Sequence, residues 1–129
     1  MAEAVIDAST LIAFLMDESV EMEQLEDVSS NSLISSVNAS EVATVLRRIG
    51  IPLEKIETLI EENVGKIISF DKTQAMLAAS LWDETKSYGL SLGDRSCLAL
   101  AQSYNLPVYT ADKIWKKLTI KGLDIKLIR

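Results

Sequence analysis

Histidine is absent from the 129 residues, and cysteine occurs once, at position 97. Without imidazole the chain cannot build a Ser-His-Asp triad, a Cys-His pair, an imidazole metal site or the histidine acid–base pair that some ribonucleases use. A lone Cys97 excludes an internal disulfide and a Cys-rich zinc site. No apolar run approaches the roughly 20 residues of a membrane span, and the N-terminus lacks the basic-then-apolar layout of a signal peptide, so a cytoplasmic protein without membrane contact is expected. What remains for chemistry is carboxylate: 19 Asp and Glu stand against 13 Lys and Arg, a net charge of −6.

With 48% hydrophobic residues, the chain has the length of one domain with an adequate core, and residues 1–129 are expected to form it. An acidic balance argues against a phosphate-binding partner. The distribution softens that objection. Every charge from Asp17 to Asp27 is negative, whereas Lys113, Lys116, Lys117, Lys121, Lys126 and Arg129 face only Asp124 near the C-terminus. Two solvated faces of opposite sign explain those runs equally well.

Strand-like and helix-like segments alternate along the chain. Ala4-Val5-Ile6-Asp7 is a short apolar run without alternation, as in a strand buried on both faces. Helical spacing follows at Leu11, Phe14 and Leu15, and an acidic helix is expected around Val20 to Leu25. Leu33-Ile34-Ser35 is a weaker strand, followed by a helix from Asn38 to Arg47. Gly50 closes that helix, and Pro52 opens another to about Asn63. Lys66 to Phe70 is a third strand. Asp71 with Gln74 resembles a capping box for a long helix ending at Gly89. Leu92-Gly93-Asp94 opens a further helix to about Asn105, and the last strands are Val108 to Thr110 and Ile125 to Ile128. The pattern predicts one α/β domain around a mostly parallel sheet. Such sheets bind ligands beyond the carboxyl ends of their strands.

Four carboxylates fall where that topology gathers side chains. Asp7 and Asp112 follow strands and precede helices, which suits either a site or an N-cap. Glu41 and Asp94 lie in helical line with apolar neighbours: Val42, Val45 and Leu46 for the first, Cys97, Leu98 and Ala101 for the second. Both are expected to point toward the sheet. An inward carboxylate there needs a cation, an ion pair with Arg47, Arg48 or Arg95, or a helix N-terminus to offset its desolvation. Gathered carboxylates repel one another, and a divalent cation relieves that repulsion. Asp71 has a capping partner and is left outside the site. Trp82 and Trp115, both in helices, are expected to pack in the core.

The segments Val5-Ile6-Asp7-Ala8-Ser9, Ser36-Val37-Asn38-Ala39-Ser40-Glu41-Val42, Leu90-Ser91-Leu92-Gly93-Asp94-Arg95 and Thr110-Ala111-Asp112, in that order, resemble the PIN-domain nucleases. Within that family they look most like VapC-type toxins of bacterial toxin–antitoxin pairs, over the whole chain. The resemblance implies an α/β/α sandwich with four to five strands, acting as a metal-dependent endoribonuclease. It places Asp7, Glu41 and Asp94 on the acidic metal-binding core, Asp112 on a more variable fourth acid, and Ser9 and Thr110 on supporting hydroxyl positions. It also implies a cognate antitoxin and a homodimer.

Oxygen ligands favour Mg²⁺ or Mn²⁺ as cofactor. The expected reaction is cleavage of RNA phosphodiester bonds by metal-activated water, with Arg95, Lys113 and Lys116 as phosphate contacts. A receiver-type phosphoacceptor would need an acidic pair after the first strand. A haloacid-dehalogenase-type phosphatase would need an aspartate two residues after Asp7, where Ser9 stands. The alternative that stays open is a non-catalytic binding module whose carboxylates are caps and ion pairs.

Overall fold

The computed structural model describes residues 1–16 and 27–128. The acidic helix expected around Val20 to Leu25 lies outside the described residues. Five parallel strands form the sheet: β1 (Ala4–Ile6), β2 (Ser32–Ser35), β3 (Lys66–Ile68), β4 (Val108–Thr110) and β5 (Ile125–Leu127), in the order β3-β2-β1-β4-β5. The expected α/β sheet is therefore parallel throughout. The third strand ends at Ile68, two residues earlier than the apolar pattern suggested, because the Phe70 N–H leaves the ladder and donates to Ser36 Oγ at 3.0 Å.

Helices cover both faces. α1 (Ala8–Leu15), α2 (Ser36–Arg48) and α3 (Leu53–Asn63) enclose one core with Ile6, Ile34, Val42, Leu46, Ile56 and Ile60. α4 (Lys72–Ser80) and α6 (Leu92–Tyr104) enclose the other with Val5, Leu33, Leu98, Leu100 and Val108. Val5 and Ile6 are both fully buried and serve opposite layers, which accounts for the unbroken apolar run of the first strand. Burying one such side chain stabilises the fold by about 1.5–3 kcal/mol.

The helix expected to run from Asp71 to Gly89 is broken. It stops at Ser80, Leu81 turns out of the helix at ψ −1°, and a short α5 (Trp82–Thr85) leads to a 3₁₀ turn at Lys86–Tyr88. The break keeps Leu81 and Thr85 buried and sends Trp82 outward, 53% exposed, with Lys86 Nζ 4.9 Å from its ring centre. Core packing thus fails for Trp82 and holds for Trp115, which is completely buried. Gly89 ends the turn at φ +67°, a left-handed conformation that glycine adopts without strain.

The chain winds outward from β1 to β2 and β3, then crosses back through α4 and α6 to β4 on the other side of β1. The winding direction reverses between β1 and β4. Parallel sheets bind ligands at the carboxyl edge of such a switch point, and Asp7 and Asp112 follow the two strands that flank it.

Candidate metal centre

Asp7 is built into the end of β1. It is the N-cap of α1, its Oδ1 accepting the Thr10 N–H at 2.9 Å. Ser9 Oγ donates to the same carboxylate at 2.8 Å, and Thr110 Oγ1, at the end of β4, donates to Oδ2 at 2.6 Å. Thr10 Oγ1 bonds the Tyr109 carbonyl at 2.9 Å, tying α1 to β4. Only 5% of Asp7 is exposed. Burial raises its carboxyl above the ordinary 3.8, against the opposing pull of the hydrogen bonds from Thr110, Thr10 and Ser9.

Asp112 lies beyond the same hydroxyl. Its N–H donates to Thr110 Oγ1 at 3.0 Å, and its exposed carboxylate accepts from Ile114 N at 3.1 Å to start a 3₁₀ turn at Lys113–Lys117. Thr110 Oγ1 therefore links the Asp7 side chain to the Asp112 backbone. Ser9 Oγ in turn accepts the Ala111 N–H at 3.0 Å, so both hydroxyls expected to support the site bridge β1 and β4.

Glu41 and Asp94 come from helix starts in opposite layers that meet over the sheet edge. Asp94 is half-buried, and its Oδ2 accepts the Ser91 N–H at 2.9 Å while Ser91 Oγ accepts the Asp94 N–H at 3.2 Å. These reciprocal bonds are a capping box. Asp71 makes only half of one: it accepts the Gln74 N–H, and the Gln74 amide donates instead to Ser103 Oγ. Glu41 is exposed, contrary to the inward direction expected from its helical position. The sheet-facing surface of that turn is taken by Asn38 and Val42, 2% and 0% exposed. Asn38 Nδ2 donates to Glu41 Oε1 at 2.8 Å and to the Gly93 carbonyl at 3.0 Å, joining α2 to α6.

The charges of Asp7, Asp94 and Glu41 all reach the Cys97 thiol, which is raised well above its ordinary value first by complete burial and then by these three. Glu41 meets the start of α6 next to Asp94 through Asn38 and Gly93, and Asp112 is attached to Asp7 through Thr110. Among the described residues the ion pairs are Lys86–Asp83 and Lys126–Asp124, so no salt bridge with Arg47, Arg48 or Arg95 neutralises the three. Arg95 Nη1 donates to the Ala78 carbonyl at 3.2 Å, bracing α6 against α4. Lys116 Nζ donates to the Ile125 carbonyl at 2.6 Å, and Lys113 is exposed beside Asp112. Asn38, Thr10 and Ser91 were not singled out from the sequence. Asn38 had a usable signal, three residues before Glu41 on the same helix.

The sequence profile of the PIN domain matches residues 4–121. The chain belongs to the PIN-domain family. No curated protein matches it significantly in sequence. The PIN fold recurs in solved structures. A chain of a toxin–antitoxin complex from Klebsiella pneumoniae is 24% identical, with TM-score 0.71 over 94% of this chain and 95% of that one. A chain of DNA-bound VapBC from Salmonella typhimurium is 18% identical, with TM-score 0.75 over the full length of both. A VapC toxin from Mycobacterium tuberculosis, described as cleaving the sarcin–ricin loop, is 12% identical, with TM-score 0.70 over 89% of this chain and 94% of that one.

The donor set of this PIN domain fits a hard divalent cation. Its charged groups are all carboxylates, and no described Lys or Arg makes an ion pair with them. Among the described residues, no three Asp, Glu or Cys side chains stand close enough together to ligate one ion directly. Mg²⁺ needs no such closed set, because it commonly keeps several waters and takes one or two carboxylates.

Proposed function

We propose that this PIN domain is a metal-dependent endoribonuclease, the toxin of a toxin–antitoxin pair. The observation that carries the proposal is that Asn38 ties Glu41 to the start of α6 beside Asp94, while Asp7 is buried at the end of β1, all without an ion pair among the described residues. Like charges with no cationic partner, one of them buried, favour an ion over a purely structural role. Asp7 and Asp94 would hold Mg²⁺ or Mn²⁺, with Glu41 and Asp112 acting directly or through water. Such an ion supplies Lewis acidity: it lowers the pKa of a coordinated water and offsets charge on the scissile phosphate.

The protein groups have separate tasks. Ser9 and Thr110 fix the Asp7 carboxylate at the carboxyl ends of β1 and β4. Asn38 directs Glu41, and the Ser91 box holds Asp94 at the start of α6. Lys113, exposed next to Asp112, would meet an RNA phosphate, whereas Arg95 and Lys116 hold backbone carbonyls. Attack by water leaves the ribose 2′-hydroxyl unused, so the products are a 5′-phosphate and a 3′-hydroxyl.

The antitoxin belongs to the same proposal. Two of the fold relatives described above come from toxin–antitoxin complexes. Ile49 and Leu53, 59% and 65% exposed at the α2–α3 corner, leave apolar surface for a protein partner or a second copy of the chain. No helix among the described residues is long and apolar enough to cross a membrane.

The test is incubation of antitoxin-free protein with total RNA in Mg²⁺ or Mn²⁺, beside EDTA and an Asp94→Asn variant, with mapping of the cut ends. Metal-dependent cuts with 5′-phosphates, lost in the variant, support the proposal. Equal cleavage by the variant removes the site, and 2′,3′-cyclic phosphate ends remove the mechanism. Neither cleavage nor stabilisation by metal would favour a binding module.

A further inference from the structure

Gly93 lies in the first turn of α6, one residue before Asp94, and its backbone does not require glycine. The described glycines with positive φ are Gly50, Gly89 and Gly122. Alanine is the better helix former at such a position. What glycine supplies is space. A Cβ at Gly93 would stand 2.5 and 2.6 Å from the two Glu41 carboxylate oxygens and 2.7 Å from the carbon between them. The three nearest atoms all belong to that one carboxylate.

The same contact is secured from the other side. Asn38, 2% exposed, donates one amide to both Glu41 Oε1 and the Gly93 carbonyl. Its Oδ1 has no hydrogen-bond partner, although a buried amide oxygen ordinarily has one. The amide is thus committed to its donor side, which faces Glu41 and Gly93. Glu41 itself is exposed and has a flexible stem, so nothing in the core would resist its displacement.

We propose that Gly93 is a positioning residue: its missing side chain is the seat of the Glu41 carboxylate, which Asn38 holds there beside Asp94 before a metal ion arrives. The inference rests on the assignment of Glu41 to the metal centre. It explains why a helix start carries a residue that weakens it. A purely structural glycine would be needed for packing, and its replacement would lower stability. A seat for Glu41 behaves oppositely, because a methyl group pushes only the far end of a movable side chain.

The experiment compares wild-type protein with Gly93→Ala, Glu41→Asp and the double variant, measuring Mn²⁺ affinity by titration calorimetry and the melting temperature without metal. Gly93→Ala should melt at or above the wild-type temperature while binding Mn²⁺ about tenfold more weakly, the usual scale for disturbing a ligand's support. Glu41→Asp draws the carboxylate back by one methylene and frees the space. Adding Gly93→Ala to it should cost no further affinity. Wild-type affinity in Gly93→Ala, a lowered melting temperature, or additive losses in the double variant would overturn the inference while leaving the metal centre standing. Absence of Mn²⁺ binding in the wild type would remove both.

Discussion

The two halves of the proposed metal centre are built by different means. On the strand side, Asp7 is 5% exposed and accepts from Ser9, Thr10 and Thr110 across neighbouring parallel strands. On the helix side, Glu41 is exposed and Asp94 half-buried, each held mainly by a neighbour three residues away in sequence. The first half is fixed by sheet register, so its geometry is only as loose as the fold. The second is fixed by local helix-start bonds and can adjust when an ion or a phosphate enters. A rigid anchor with adjustable partners suits a cation that tolerates few protein ligands and exchanges water for substrate.

The largest expected effect treats the halves alike. Asp7→Asn and Asp94→Asn should each reduce RNA cleavage by about a thousandfold or more, since each removes a ligand to the group that offsets phosphate charge. A variant of either half that cleaves at the wild-type rate would show that the two do not form one centre. Stability should then separate them. Thr110→Val strips a donor from a buried carboxylate and an acceptor from the Asp112 N–H, so urea denaturation should show a loss of about 2 kcal/mol. Ser91→Ala removes an exposed cap and should lose about 1 kcal/mol or less. Equal losses would erase the contrast between a buried and a surface-built half.

A finer difference lies in pH. Burial raises the Asp7 carboxyl in the native protein, so the unfolded chain ionises first as pH increases. In the metal-free protein, the contribution of Asp7 to stability therefore falls as pH climbs through 3.8 toward the raised native value, and the fall levels off above it. Asp7→Asn should flatten this slope in denaturation curves taken between about pH 3 and pH 7. An unchanged slope would place its origin outside the strand side.

The sheet was legible because its strands are short apolar runs punctuated by turn residues, and Asp7 and Asp112 were legible because they end such runs. The hydroxyls at Ser9 and Thr110 came through the family resemblance, and the structure gives them partners. Glu41 illustrates where helical periodicity stops being informative. Position 41 is on the edge of an apolar face, and the pattern cannot tell that Asn38 takes the inward place while the carboxylate runs out over Gly93. Capping was also misallocated. Asp71-x-x-Gln74 and Ser91-x-x-Asp94 are equally good patterns, and only tertiary contact decides that Gln74 reaches Ser103 while Asp94 closes its box. Capping and a place at the carboxyl edge are compatible, since Asp7, Asp94 and Asp112 all bond helix-start N–H groups there.

The break at Leu81 leaves the molecule with two unlike optical reporters. Trp115 is completely buried beneath the Lys113–Lys117 turn, whereas Trp82 stands 53% exposed next to Lys86. Their emission should divide into a blue component shielded from acrylamide and a red component open to quenching. Unfolding of the β4 side can thus be followed through one indole, and coverage of the α4–α6 connection by another macromolecule through the other, without attaching a dye.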